Sequence, residues 1–169
     1  MNQPNQKSID SIRPALFAGL LISIIMLITA LFFQYYMGLE PCPLCSITRV
    51  IVIIMASVFL IAFIHAPLGW GRRLYGLLLT LISTMGIVVA GRHVWLQYLP
   101  KEQIPECGPG LDFWLNNLPA NEVIQNIFQG SGECAEITWT LIGLSIPQWN
   151  LIIFILFLVY SLKLLILSR

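Results

Sequence analysis

The chain of 169 residues is too apolar and too poor in charge for an ordinary soluble protein, since 57% of its residues are hydrophobic and only 10% are charged. The mean hydropathy of +0.82 is typical of a protein that lies within a lipid bilayer. A formal net charge of +1, without a basic stripe in any segment, argues against a nucleic-acid partner. We therefore expect a single membrane domain over residues 1–169.

Four apolar stretches approach the roughly 20 residues that a helix needs to cross about 30 Å of hydrocarbon. They cover residues 14–36, 45–64, 74–98 and 149–167. Such runs are too long for barrel strands, and a spanning segment in lipid must satisfy its own backbone hydrogen bonds. The sequence therefore predicts an all-α membrane protein, a bundle of four transmembrane helices.

The first apolar stretch follows Lys7 and Arg13, as the apolar region of a signal peptide would. It is longer than the roughly 7 to 15 apolar residues of a signal peptide, and no A-x-A-like cleavage site follows Tyr36. We therefore expect this stretch to remain attached as a transmembrane helix.

The basic residues near the ends of the spans predict the orientation, because they favour the cytoplasmic face of a membrane. With four spans, both termini share one side with the short connection between the second and third spans. The charged residues of that side are nearly all basic: Lys7, Arg13, Arg72, Arg73, Lys163 and Arg169, against Asp10. The other two connections, residues 37–44 and 99–148, are mainly acidic. We expect cytoplasmic termini and two loops that face away from the cytoplasm.

The long loop over residues 99–148 contains Pro100, Pro105 and Pro109, which are turn or extended signals and prevent it from continuing the third helix. Two short amphipathic pieces follow at residues 111–118 and 122–128, and we expect short helices there. Such pieces either lie flat on the membrane surface or fold back on the bundle. The sequence leaves both arrangements open.

All four cysteines, Cys42, Cys45, Cys107 and Cys134, fall on the side that faces away from the cytoplasm. An even set in an oxidising compartment indicates disulfides, with three possible connectivities. The spacing favours one of them, because the ends of the C-x-x-C unit at residues 42–45 come close enough for a bridge. Cys107 is then left to pair with Cys134.

Cys45 is expected at the start of the second helix, where unpaired backbone N–H groups and the helix dipole favour a thiolate. Arg49 follows at i+4 and offers a permanent positive charge to that thiolate or to a carbonyl oxygen of a bound cofactor. The alternatives are a plain disulfide or half of a zinc site. Zinc needs four close nitrogen or sulfur ligands, and Cys107 and Cys134 have no histidine near them in the loop, so we expect no metal.

The role of the second cysteine pair stays open from the residues alone. A bridge between Cys107 and Cys134 would stabilise the fold by roughly 3 to 4 kcal/mol through chain entropy, so a structural role is possible. Their turn-rich surroundings predict little to bury a sulfur, and exposed bridges are the labile ones. His93, near the outer end of the third span, is either an interfacial residue or a group for proton exchange with a cofactor.

Several segments, each weak alone, resemble one known family when taken together. They are Pro41-Cys42-Pro43-Leu44-Cys45 with Arg49 after it, His93 with Leu96-Gln97-Tyr98, Ser131-Gly132-Glu133-Cys134-Ala135-Glu136, and Gly143-Leu144-Ser145-Ile146-Pro147-Gln148-Trp149. In this order, and over nearly the whole chain, they resemble the disulfide bond formation protein B (DsbB) family of bacterial inner-membrane thiol oxidases. The resemblance implies a multi-pass protein of the bacterial inner membrane with its cysteine loops in the periplasm.

The resemblance also implies the partners and the role of each cysteine. A DsbB-like protein re-oxidises a periplasmic thioredoxin-like thiol oxidase of the DsbA kind and passes the electrons to membrane quinone. Cys107 would form the mixed disulfide with that protein, and Cys134 is the partner of Cys107. Electrons would then pass to the pair formed by Cys42 and Cys45.

The acceptor implied by the resemblance is ubiquinone or menaquinone from the membrane pool. Cys45 would engage the quinone, which would be held near Arg49 and His93. A thiolate that donates charge toward a quinone ring builds negative charge on oxygen, and Arg49 would stabilise that charge.

Two other functions remain compatible with the residues. One is a related thiol and quinone enzyme that runs in the reductive direction, like relatives of vitamin K epoxide reductase, or a specialised paralogue. Those relatives place the C-x-x-C unit between later spans, whereas here it follows the first span. The other is a non-enzymatic membrane scaffold with two structural disulfides, in which Cys45→Ser would leave any activity intact.

Overall fold

The computed structural model describes residues 3–39, 41–65, 70–104, 113 and 116–166. Within these residues the long helices are α1 (Gln3–Tyr35), α2 (Pro43–His65) and α3 (Trp70–Gln97), followed by the shorter α4 (Ala120–Gln129) and by α5 (Ile146–Ile166). All except α4 are long and apolar enough to cross a membrane. The predicted all-α bundle of four transmembrane helices is therefore confirmed.

The helices begin earlier than the apolar stretches predicted, because an apolar run marks the part of a helix that suits lipid and not the whole helix. Helix α1 begins at Gln3 and contains Pro14. Helix α2 begins at Pro43, since proline suits the first helical position, where its missing N–H would have no partner. Helix α3 begins at Trp70 and α5 at Ile146.

The packing order of the bundle places α2 next to both α1 and α3, while α3 packs along α5. The bundle core contains Phe59 of α2 and Phe154 of α5, both fully buried. Large apolar side chains on the outer faces remain exposed, as expected of surfaces that face lipid. They include Ile25, Ile28, Leu81, Val88, Leu156 and Ile166.

The part of the long loop that the structure describes folds back on the bundle. Helix α4 contacts α2, and its Val123 side chain is buried. A 3-10 turn, Gly132–Cys134, contacts both α2 and α3. Of the two arrangements left open by the sequence, folding back on the bundle is therefore the one that the second amphipathic piece adopts. The first piece, residues 111–118, lies mostly outside the described residues.

A small β-hairpin that the sequence did not predict leads into α5. Strand β1 (Thr140–Leu141) pairs antiparallel with β2 (Leu144–Ser145), and the turn residues Ile142 and Gly143 both have positive φ, at 55° and 77°. Two positive φ values are typical of the turn that suits a two-residue hairpin loop. Strands of two residues have no periodicity to detect, so Gly143 was the only signal.

The hairpin fixes the start of α5 by one of the two hydrogen bonds of a capping box. Gln148, in the first turn of α5, accepts a hydrogen bond from the Ser145 backbone N–H at 2.7 Å, which satisfies a donor at the helix start. The Ser145 hydroxyl donates instead to Gln97 Oε1 at 2.7 Å. Since Gln97 is the last residue of α3, the C-terminal end of α3 and the N-terminal end of α5 are held together beside the cysteines.

Candidate thiol site and apolar cleft

Two cysteines of the C-x-x-C unit lie at the N-terminus of α2. Cys42 immediately precedes the helix, and its carbonyl oxygen accepts the hydrogen bond from the Ser46 N–H at 3.1 Å. Cys45 follows within the first turn and is half-buried. The first turn of a helix presents N–H groups without helical partners, so both sulfurs lie where negative charge is favoured.

His93 lies beside these two thiols on α3. Its side chain is only 4% exposed, and its Nε2 atom is 3.8 Å from the Sγ atom of Cys42. The two sulfurs and a ring nitrogen of His93 all lie within 4.8 Å of one another. His93 therefore faces the cysteines from within the protein and is not an exposed boundary residue.

Cys134 joins the same cluster from the long loop. Its side chain is 0% exposed, and its thiol lies close to the Cys42 side chain. The expectation that little would bury this sulfur was wrong. The reason is that Gly130, with φ of 79°, turns the chain so closely against Leu96 of α3 that a Cβ there would collide with it.

The contacts of Cys134 change the acidity of its thiol. The neighbouring Cys42 thiol and the burial of the side chain raise the pKa of the Cys134 thiol well above its ordinary value. The Ser131 hydroxyl lies 3.7 Å from the Cys134 sulfur. Cys134 is therefore a protonated thiol at neutral pH when Cys42 beside it is also reduced.

Cys45 also lines an apolar cleft between α1 and α2, with an empty volume of about 630 Å³. Arg49 lines the same cleft one helical turn further along α2, as the i+4 spacing predicted. The walls are mainly apolar and include Met26, Leu27, Ala30, Phe33 and Val52. A cleft with one cation and one thiol among mainly apolar walls suits a small apolar ring with polar substituents.

Two hydrogen bonds to α1 hold Arg49 in this cleft. One guanidinium nitrogen donates to Gln34 Oε1, and the other donates to the carbonyl oxygen of Ala30 at 2.9 Å. The sequence interpretation missed Gln34. A lone amide near the end of an apolar span was the available signal, because such a group needs a polar partner in that setting.

A second, more polar cleft of about 390 Å³ adjoins the thiols. Cys42, Cys45 and His93 line it together with Glu133 and Glu136, whose side chains are exposed. Cys45 therefore borders both clefts. The thiols separate an apolar space that contains Arg49 from a polar space that contains carboxylates, and the sequence had assigned no role to these two glutamates.

Comparison with known proteins identifies the family of the chain. The sequence model of the family described as "Disulfide bond formation protein DsbB" matches residues 12–164. The chain belongs to the DsbB family. A DsbB protein of Nitrosococcus oceani, named "Disulfide bond formation protein B", is 47% identical over 152 residues, which is 90% of this chain and 90% of the relative.

Two further DsbB relatives with the same name show a similar likeness. The protein of Chromohalobacter salexigens is 48% identical, and the match covers 92% of this chain and 91% of the relative. The protein of Psychrobacter cryohalolentis is 54% identical over 130 residues, 74% of this chain and 72% of its own. The predicted family is thus confirmed, and the chain is a disulfide-forming oxidoreductase of the DsbB type and a multi-pass inner-membrane protein.

The fourth cysteine of this DsbB chain, Cys107, lies outside the described residues. Its predicted bridge to Cys134 therefore stays a prediction. Cys42, Cys45 and Cys134 are free thiols in this structure. Among the described site residues, the structure brings together all those that the sequence singled out, with Arg49 on the apolar side of Cys45 and His93 on the polar side.

Proposed function

We propose that this DsbB chain is a thiol:quinone oxidoreductase that re-oxidises a periplasmic thioredoxin-like protein of the DsbA kind and reduces ubiquinone or menaquinone. One observation supports the proposal most directly: Cys45 borders the apolar cleft next to Arg49 and also belongs to a cluster with Cys42 and Cys134. A chain of thiols that reaches an apolar, cation-containing cleft provides a route from protein thiols to a lipid-soluble acceptor.

The residues of the apolar cleft fit a quinone headgroup. Its apolar walls match the ring, and Arg49 provides N–H donors and a positive charge for a carbonyl oxygen. A quinone bound there would take up two electrons and two protons. The two hydrogen bonds to α1 keep the guanidinium oriented before the reaction, so no reorientation is needed as negative charge develops.

The contact between Cys134 and Cys42 defines the thiol exchange that we propose. After the donor protein reduces the Cys107–Cys134 bridge, the Cys134 sulfur attacks Cys42 of the Cys42–Cys45 disulfide. A bond between Cys42 and Cys134 forms, and Cys45 leaves as a thiolate. Attack of the Cys107 thiolate on Cys134 then restores the first bridge and releases Cys42. Two electrons have moved to the pair on α2.

His93 and Arg49 have complementary roles in the final step. Loss of two electrons and two protons from the thiols of Cys42 and Cys45 restores their disulfide. Arg49 favours negative charge on the cleft side of Cys45, while His93 Nε2, 3.8 Å from the Cys42 sulfur, accepts the proton of Cys42.

We also infer the orientation of the chain in the membrane. The basic residues near the spans favour cytoplasmic termini, and the cysteines then lie on the periplasmic side. The thiol cluster at the N-terminus of α2 and at the end of α3 belongs to one end of the bundle, which is the end that the donor protein would approach.

The test is a reaction with purified components. Ubiquinone and a reduced thioredoxin-like periplasmic protein are added to the purified protein, and quinone reduction is followed by its absorbance. Cys45→Ser and Cys107→Ser are each expected to abolish the reduction, whereas Ser57→Ala, at an exposed position of α2, keeps it. Absence of quinone reduction by the unsubstituted protein, or activity in both cysteine variants, would show that the proposal is wrong. If the enzyme oxidises added quinol with the oxidised periplasmic protein faster than it reduces quinone with the reduced one, the reductive enzyme is favoured instead.

A further inference from the structure

We propose that the fully reduced thiol cluster is a binding site for a soft divalent metal ion of the zinc class, with Cys42, Cys45, Cys134 and His93 as ligands. This inference goes beyond the proposed oxidase function, since it requires neither a quinone nor a donor protein. It also reverses the expectation of no metal, which assumed that no histidine lies near Cys134.

The spacing of three ligand atoms is close to that of a zinc site. A tetrahedral site with Zn–S bonds of about 2.3 Å has ligand atoms about 3.8 Å apart. The Cys42 sulfur and His93 Nε2 are already 3.8 Å apart. The sulfurs of Cys42 and Cys45 and the His93 nitrogen all lie within 4.8 Å of one another, so a metal would need to draw them inward by at most about an ångström.

Cys134 completes the donor set from the loop. Its side chain is fully buried next to Cys42, and its sulfur is more than 4.8 Å from at least one of the other three ligand atoms, so metal binding would have to draw Cys134 further toward them. Three thiolates and one imidazole form a common donor set of closed structural zinc sites. The thiol protons leave as the metal binds, because the ligands must be deprotonated.

The surroundings of the ligands also suit a metal. The His93 ring interacts with the backbone of Cys134, and zinc-ligating histidines usually hydrogen-bond a backbone or carboxylate group through the nitrogen that does not bind metal. Glu133 and Glu136 line the adjoining polar cleft, which gives a cation an acidic path to the cluster. Sulfur and nitrogen donors select zinc-like ions over calcium and magnesium, which prefer oxygen.

The redox state of the cysteines would control this site. A bridge between Cys42 and Cys45 removes two of the four ligands, and a bridge from Cys134 to either sulfur or to another cysteine removes one or more. The metal therefore binds the reduced protein and not the oxidised protein. Once bound, it holds Cys42 and Cys45 as metal thiolates and prevents them from forming their disulfide, so it is an inhibitor of the oxidase cycle.

The test uses cobalt as a spectroscopic probe of the tag-free full chain in detergent, under anaerobic conditions and without quinone. The reduced protein is expected to bind one Co²⁺ per chain, with thiolate-to-cobalt charge-transfer absorption and the intense ligand-field bands of tetrahedral geometry, and Zn²⁺ should displace it. The protein oxidised with a small-molecule disulfide should show neither signal. Equal binding in the two redox states, or octahedral cobalt only, would overturn the proposal.

Single substitutions then identify the ligands. Cys45→Ser, Cys134→Ser and His93→Gln should each weaken Co²⁺ binding by more than the roughly 10–100-fold that loss of a supporting residue costs. Cys107→Ser keeps all four proposed ligands and should bind cobalt as the unsubstituted chain does. Loss of cobalt binding in Cys107→Ser alone would overturn the ligand set. Since the comparison of redox states needs no substitution, misfolding of a variant cannot mask the outcome, and quinone activity plays no part in it.

Discussion

Gln34 on α1 accepts a hydrogen bond from the guanidinium of Arg49 on α2. This contact joins two helices at the wall of the apolar cleft, and a second bond from Arg49 to the Ala30 carbonyl lies one turn away on α1. Arg49 is therefore oriented by the first helix, although it is carried by the second. Arg49 is the one cation in the described lining of the cleft. Its orientation depends on Gln34, which does not itself need to touch a quinone.

Replacement of Gln34 by leucine should raise the KM for quinone more than it lowers kcat. A hydrogen bond to a charged group contributes about 1.5–3 kcal/mol, which corresponds to roughly a tenfold or greater change, although half-burial of this pair lowers the effect. The bond to Ala30 remains, so Arg49 stays in the cleft with a wider range of orientations. Steady-state kinetics at varied quinone concentration would measure this.

Two variants separate positioning from general disturbance of the helix end. Gln34→Asn keeps a neutral amide acceptor near Arg49 and should retain more of the quinone affinity than Gln34→Leu, whereas Tyr35→Phe, next in the chain and 79% exposed, should behave like the unsubstituted protein. Equal loss in Gln34→Leu and Tyr35→Phe would mean that Gln34 acts only through helix packing.

Arg49→Lys and Arg49→Gln should differ in their effect on quinone reduction. Lysine keeps the charge but lacks the planar fork that reaches both Gln34 and Ala30, so it should retain part of the activity. Glutamine removes the charge and should lower kcat by roughly 10²–10³-fold, the cost typical of losing one preorganised electrostatic group. Thiol exchange among the cysteines, measured by alkylation in a single turnover without quinone, should be slowed much less than quinone reduction, since Arg49 only assists the departure of the Cys45 thiolate there. Exchange slowed as much as quinone reduction would place Arg49 mainly in the thiol steps instead.

Cys42 and Cys134 should form a disulfide with each other when their normal partners are absent. In the double variant Cys45→Ser with Cys107→Ser, mild oxidation should join these two residues rapidly, because their thiols already lie close together. Proteolysis and mass spectrometry would identify the cross-linked peptides. The matched double variant Cys42→Ser with Cys107→Ser leaves Cys45 and Cys134, and should cross-link more slowly. The reverse order of rates would contradict the proposed exchange through Cys42.

The bundle and much of the site could be predicted from sequence because their signals are local. Apolar runs of membrane-spanning length gave the four helices, and the C-x-x-C spacing with Arg49 at i+4 placed Cys45 and Arg49 on one helix face. His93 was singled out by its place near the end of the third span, but the direction of its side chain was not predicted. Whether a polar residue near a membrane boundary faces lipid or protein depends on how α3 packs against α2, which no local pattern encodes.

The burial of Cys134 could not be predicted for a related reason. Turn-rich loop sequences usually lie on the surface, so the residues around Cys134 indicated an exposed sulfur. The close approach of Gly130 to Leu96, which brings the loop against α3, is a contact between segments far apart in the chain. Gln34 was missed likewise, since its partner lies on another helix. The sequence pattern therefore did not predict the features that depend on contacts between secondary-structure elements.

Gly86 is required for the close packing of α3 against α5. A Cβ at Gly86 would lie 2.5 Å from Cδ1 and Cε1 of the fully buried Phe154 ring, closer than real side chains approach. Small residues let transmembrane helices approach closely, so Gly86→Ala should lower the free energy of unfolding by about 1–3 kcal/mol through overpacking. Unfolding in mixed detergent micelles, followed by circular dichroism, would measure this.

Gly91→Ala provides the matched control on the same helix, because a Cβ there meets nothing within 4 Å. It should leave the free energy of unfolding unchanged or raise it by about 0.5–1 kcal/mol, since alanine favours helix over glycine. Phe154→Leu should partly rescue Gly86→Ala by making room, which a double-mutant cycle would report as a favourable coupling. If Gly86→Ala is as stable as Gly91→Ala, or if Phe154→Leu gives no rescue, the steric contact is not what limits the separation of α3 and α5.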